Sequence, residues 1–314
     1  MHNKTHMFSA YSLGATLYMP VIHHSVMDIL TGRAPALSSS VVLCLEDALH
    51  ENDVDRGIAA LIAGLEARQQ VKPQGGPRIF VRPRSLDMAE RLSSLKGIHT
   101  IEGFVAPKMR VENASEWLFL ARQADLMLMP TLETPEFFDP GRMAAFRDVL
   151  NAEAVGRISA IRLGGNDLLG SLGLRRRAGV TSYEGPLGSI LGTASSMLIS
   201  SGYAVAAPVY DVIHDLDTLK REVAQDIEMG FISKTAIHPC QVGIIEDAMK
   251  ADPADVEAAK AILDRDAKAV FQVGGVMCEP STHHLWAKRI LARNEIFGLA
   301  GMEADTFEPV VSHG

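Results

Sequence analysis

The hydrophobic residues of this chain come in short blocks. Eight apolar or β-branched runs recur along it, at 14–20, 40–47, 78–83, 101–109, 124–133, 158–167, 202–210 and 231–239. Between them, apolar residues fall at helical spacing. Val54, Ile58, Leu61, Ile62 and Leu65 share one helix face behind Asn52, which is placed to cap it; Leu216, Leu219, Val223 and Ile227 do the same ahead of a stop at Gly230. Successive runs lie roughly thirty residues apart, the length of one strand–helix unit. They read as apolar throughout, as parallel strands covered on both faces do. Eight such units predict an α/β fold, a closed (β/α)8 TIM barrel over residues 1–250.

After the eighth run the pattern changes. Asp252 and Pro253 open a helix whose apolar stripe is Val256, Ala259, Leu263, Ala267 and Val270. Gly274 and Gly275 lead into a turn that runs to Pro280, and 284–297 reads as a last helix. Residues 251–314 are therefore expected to form a C-terminal helical extension, packed on its own barrel or on a neighbouring subunit.

Composition narrows the class. With 47% hydrophobic residues in 314, the chain has material for a large core. A formal charge of −8 argues against a broad nucleic-acid surface. Cys44, Cys240 and Cys278 are far apart in sequence, which suits a reducing cytosol better than a disulfide frame. The first residues hold no apolar signal core, and no run is long enough to span a membrane. A cytoplasmic protein is expected.

In a barrel of this kind chemistry sits at the C-terminal ends of the strands. Those ends read Glu46-Asp47, Arg82 with Arg84, Lys108 after Pro107, Glu133, Gly164-Gly165-Asn166-Asp167 and His238. A lone acid at a strand end is more often a helix cap than a metal ligand, and for Asp47 the two readings are even. Glu133 and Asp167 differ, because they end adjacent strands. Two carboxylates with space for water and substrate suit Mg²⁺, and Gly164-Gly165 leaves backbone open to a ligand. Lys108 is read either as a solvent residue or as an anion ligand. His238 is read as structural, His23 and His24 as a surface pair, and the neighbours His283 and His284 as pointing apart. The long loop from Asp167 to about Pro186 carries Arg175, Arg176 and Arg177; a lid and a solvated basic turn are equal readings.

The strand-end motifs, in this order, resemble the citrate lyase β-subunit family, which includes malyl- and citramalyl-CoA lyases. The markers are Leu17-Tyr18-Met19-Pro20, Leu45-Glu46-Asp47-Ala48, Val81-Arg82, Pro107-Lys108, Leu132-Glu133-Thr134, Gly164-Gly165-Asn166-Asp167-Leu168, Gly230-Phe231 and Ile237-His238-Pro239-Cys240-Gln241. The resemblance implies Mg²⁺ held by Glu133 and Asp167, with Glu46 and Asp47 steering its waters. It implies a substrate carboxylate clamped by Arg82, with Lys108, Gly164, Gly165 and Asn166 lining the substrate site. It also implies a catalytic acid from the C-terminal extension of a neighbouring subunit, where Glu279 stands in place of the family's aspartate. Departures are Arg84 where the family has asparagine, and Val21-Ile22-His23-His24 where it has a glycine-led basic loop toward coenzyme A. They point to a divergent branch such as that of the carbon–carbon bond lyases of the TIM-barrel fold. The expected activity is cleavage of a carbon–carbon bond in a small hydroxy- or oxo-carboxylate, or its CoA thioester, through a metal-stabilised enolate. A class II pyruvate-releasing aldolase, a malate-synthase-like condensing thioesterase and a non-catalytic assembly partner are the alternatives. A homotrimer or a multiple of it is the implied assembly.

Overall fold

The structure is a computed structural model, and residues 10–33 and 37–301 are described. All eight predicted runs carry a strand: β1 (Ala15–Pro20), β2 (Ser40–Cys44), β3 (Arg78–Arg82), β4 (Gly103–Ala106), β5 (Met127–Leu132), β6 (Ile161–Leu163), β7 (Val205–Ala207) and β8 (Ser233–Ala236). Each is shorter than its run, because the polar residues at its end have already turned into a loop. Neighbours pair in parallel in chain order, and β1 meets β8 through Ala15–Lys234, Thr16–Thr235 and Leu17–Ala236. The sheet is thus a closed barrel of the TIM type.

The helices that cover it are α1 (Val26–Thr31), α2 (Val54–Val71), α3 (Leu86–Ser93), α4 (Ala114–Gln123), α5 (Pro140–Glu153), α6 (Gly165–Ser171), α7 (Leu187–Ala194), α8 (Leu216–Glu228) and α9 (Pro239–Ala248). The start of α2 differs from expectation. Asp53, not Asn52, occupies the cap position, and His50 Nδ1 caps the preceding short turn by accepting from Asn52 N.

Outward residues of the strands, among them Val41, Leu43, Ile79, Val81, Leu128 and Leu132, join Leu61, Trp117 and Phe146 of the helices in one core. The inward face is a correction to the apolar reading. Side chains alternate along a strand, and the inward set includes Thr16, Ser40, Thr131, Arg162 and Ser233, all buried. Ser40 Oγ donates to Thr16 Oγ1 at 3.0 Å, and the Thr16 and Ser233 hydroxyls lie 3.2 Å apart. Thr16, Ser40 and Ser233 are tolerated inside because their hydroxyls are satisfied by one another and by nearby carbonyls.

Lys234 breaks the pattern on the outer face. It is fully buried, and its Nζ donates to Glu222 Oε1 and Asp226 Oδ2 of α8, each at 2.8 Å. Arg176 donates to Glu222 Oε2 at 2.6 Å, and Tyr183 Oη donates to Asp226 Oδ1 at 2.7 Å. Arg176 and Tyr183 belong to the long loop after α6. That loop is therefore not a solvated basic turn at Arg176: its middle arginine is pinned to the outside of the barrel.

Two compact units divide the chain, 1–246 and 247–314. The second contains α10 (Pro253–Leu263), the hairpin β9 (Phe271–Val273) with β10 (Val276–Cys278), and α11 (Pro280–Phe297). Asp252 caps α10 by accepting from Ala254 N, with Pro253 at the first helical position. The helix stops at Leu263, so Ala267 and Val270 do not extend its stripe. The turn expected at Gly274-Gly275 is a two-residue hairpin loop, in which φ of +55° and +85° calls for glycine. Val256, Ala259, Ile262, Ala287 and Ile290 form the unit's small core. No helix among the described residues is long and apolar enough to cross a membrane.

Candidate active site

A cavity of about 590 Å³ opens at the C-terminal ends of the strands, and it reaches down to inward residues of β1, β5, β6 and β8. Asp47, Arg82, Glu133 and the run Gly164-Gly165-Asn166-Asp167 line it, as the strand-end reading expects. Tyr18, Thr131, Arg162 and Thr235 line it as well; the sequence reading gave none of them a site role, and only Tyr18 stood in one of its motifs.

Glu133 follows β5 and is 3% exposed. Its Oε1 accepts from Lys108 N at 2.7 Å and from Arg82 Nη2 at 3.1 Å. Lys108 has φ of +47°, a left-handed conformation that a lysine adopts only under local constraint. The turn aims the Lys108 amide at the carboxylate, while its Nζ donates to Glu46 Oε1 at 3.2 Å. Lys108 thus holds two acids of the rim. Gly164 lies flat against Glu133: a Cβ there would sit 2.3 Å from the Glu133 Cβ and 2.6 Å from its Oε2. Only glycine lets the β6 end pass so near. Asp167 follows in the first turn of α6 and faces the same cavity.

Arg82, expected as a clamp, sits among the acids of the rim. Its Nε donates to Glu46 Oε2 at 2.7 Å, and its Nη2 reaches Glu46, Glu133 and, at 3.5 Å, Asp47. Arg82 lines the cavity and, within the chain, ties together the carboxylates of the rim. Burial disfavours the guanidinium charge, but Glu133, Tyr18 and Glu46 outweigh it and hold its pKa above the ordinary range. Burial also opposes ionisation of Glu46, yet Arg82 and its other partners bring its pKa below the usual value. Asp47 goes the other way, pushed up to about 6 by burial and by Glu46. Burial pushes Glu133 up to about 7, against the pull of Arg82 and with the help of the Asp167 charge.

Other expected residues lie elsewhere. Glu279 belongs to the second unit, where it precedes α11 and accepts from Thr282 Oγ1 at 2.8 Å. His238 is exposed, and its Nδ1 accepts from Cys240 N at 3.2 Å, a turn-forming role in line with the structural reading. Arg84 donates to the carbonyls of Leu45 and Leu49, and so fastens the loop that carries Glu46 and Asp47.

A family model described as C–C bond lyase of the TIM-barrel fold matches residues 7–299. The chain belongs to that family. Curated relatives agree with it over most of their length. A (3S)-malyl-CoA thioesterase of Cereibacter sphaeroides is 30% identical over 298 residues, covering 91% of this chain and 96% of the relative. A second thioesterase of that name, from strain KD131, is 29% identical over the same shares. Among solved structures, the protein CitE of Mycobacterium tuberculosis in complex with magnesium, acetoacetate and coenzyme A aligns with a TM-score of 0.66. It is 21% identical and covers 91% of this chain and 99% of its own. RipC of Yersinia pestis aligns at 0.58 with 17% identity, over 79% and 99%. At those identities the two structures speak for the fold alone; the carbon–carbon bond lyase branch expected from the sequence is the one the family model matches.

Proposed function

We propose that this chain is a Mg²⁺-dependent carbon–carbon bond lyase for a small hydroxy- or oxo-carboxylate, free or as its CoA thioester. The observation that carries the reading is that Glu133 and Asp167 line one cavity, with Gly164 leaving no side chain between β6 and Glu133. The donor set fits the ion. No group of three or more His, Cys, Asp or Glu side chains that would cage a metal occurs among the described residues. Two carboxylates with open positions are what a hard cation that keeps its waters requires.

Glu133 and Asp167 would hold the ion, whose contribution when bound is Lewis-acid stabilisation of negative charge developing on a substrate oxygen. The remaining work falls to this chain's own groups. Arg82 and the Lys108 amide hold the Glu133 carboxylate in one orientation before substrate arrives, so no reorganisation is needed during the reaction. Glu46 is buried and spent on Arg82 and Lys108. Asp47 is the member of that pair that faces the cavity, and we assign it the transfer of the hydroxyl proton. The backbone at Gly164, Gly165 and Asn166 borders the space where a substrate carboxylate sits.

A second reading is thioester hydrolysis, which the names of the curated relatives favour. Products separate the two: malyl-CoA yields glyoxylate and acetyl-CoA by cleavage, and malate and free CoA by hydrolysis. Glu133→Gln and Asp167→Asn are expected to abolish either activity while the protein stays folded. Full turnover in both variants would end the proposal.

A further inference from the structure

Arg162 is the group at this site that the rim chemistry does not use. It lies on β6 within the barrel and is 1% exposed. Its Nη1 donates to Thr16 Oγ1 at 3.3 Å and its Nη2 to Thr235 Oγ1, while its guanidinium stacks 5.2 Å from the centre of the Tyr18 ring. These partners are neutral. No acid pairs with Arg162 among the described residues, in contrast to Arg82 with its three. A buried guanidinium without an anion is costly, and structures rarely keep one without a use.

A second observation lies beside it. Thr131 of β5 is the direct cross-strand partner of Arg162. Arg162 Nε and Thr131 Oγ1 are both buried without a hydrogen-bond partner, and both residues line the rim cavity. Two orphaned donors on adjacent strands, next to an uncompensated positive charge, form a receptor for an anion. Its depth follows from the strand. Thr131 and Glu133 are successive inward positions, two residues apart, so the receptor lies about 7 Å below the Glu133 level. That is the reach of a short acid lying along the barrel axis.

We infer that Arg162, with Thr131, binds a second carboxylate of the substrate at the cavity floor, so that the site takes a short dicarboxylate whose other end faces Glu133 and Asp167. This rests on the lyase reading for the position of the upper end. Arg162 is then a specificity-determining residue. It discriminates acids with a distal carboxylate from those that end in a methyl group.

Malate and 2-hydroxybutyrate test it, because they share a 2-hydroxycarboxylate head and differ at the distal end. Calorimetry on the whole protein in saturating Mg²⁺ is expected to give at least about tenfold tighter binding of malate, the worth of one charge-assisted hydrogen-bonded pair. Arg162→Gln should make the two affinities equal, and Arg162→Lys should keep part of the preference. A melting curve checks that both variants fold. Equal binding by the unaltered protein, or a preference that survives Arg162→Gln, overturns the inference. Titration of Mg²⁺ alone separates the two claims. If the ion binds but malate is not preferred, the floor receptor fails and the metal reading stands. If the ion does not bind, the metal reading fails, and the preference measured without Mg²⁺ decides the receptor.

Discussion

Replacing Gly164 by alanine probes how closely the two carboxylate-bearing strand ends are packed. The new Cβ would lie 2.3 Å from the Glu133 Cβ and 2.6 Å from Oε2. Carbon atoms settle at about 3.5 Å or more, so β6 and the Glu133 stem must part by roughly 1 Å. Neither is the free end of a flexible side chain. Gly164 has φ of −84°, so alanine meets no backbone penalty and the cost is steric alone. Overpacking of this kind destabilises by about 1–3 kcal/mol. The functional loss should be larger in proportion, because a displacement of about 1 Å at a reacting centre costs on the order of 100-fold in rate. Gly170 is the control: it lines the same cavity, and a Cβ there meets nothing within 4 Å. Gly170→Ala should melt at or slightly above the temperature of the unaltered protein and keep its Mg²⁺ affinity. The assay is Mg²⁺ calorimetry with thermal melting on both variants. A Gly164→Ala protein that binds Mg²⁺ as tightly as its parent would refute the close packing of β6 on Glu133.

Further outcomes follow from the same geometry. Glu222→Gln leaves Arg176 and Lys234 without their shared anion, and should cost about 3–5 kcal/mol in urea unfolding; a loss under about 1 kcal/mol would contradict the buried network. The same variant should open the 172–186 loop to protease. Because Glu133 is raised from its ordinary 4.5 to about 7, the fold favours its protonated form, so the metal-free protein should lose stability as pH rises between those values. Mg²⁺ needs the ionised form, so its affinity should fall about tenfold per unit below pH 7; a flat profile from pH 5 to 8 would count against Glu133 as a ligand. Arg84→Ala should loosen the Glu46–Asp47 loop and lower turnover more than melting temperature, read by steady-state kinetics beside a melt.

The architecture was legible in the chain because barrel strands carry their signal on the outward face. Val41, Leu43, Ile79 and Val81 pack on helices and read as apolar runs, and eight runs at one period admit few other folds. The rim was legible for a related reason: Glu133, Asp167 and Arg82 stand where a run stops, and no core position explains them. The floor was not. Arg162 and Thr131 alternate with apolar neighbours on short strands, so runs scored as uniformly apolar hid them. An arginine inside Ala160-Ile161-Arg162-Leu163 was the available signal, as was Lys234 in the eighth run. The pairing of Arg82 was not legible, because sequence shows which charges a rim holds, not which of them have already paired. The place of Arg176 was hidden likewise, since its partner Glu222 lies far along the chain.

The most direct test is crystallographic. Crystals soaked with Mn²⁺ in place of Mg²⁺ and measured for anomalous scattering should show one strong peak between Glu133 and Asp167, about 2.2 Å from an oxygen of each. A peak bound elsewhere in the cavity, or none at a concentration that supports turnover, would contradict the two-carboxylate metal site.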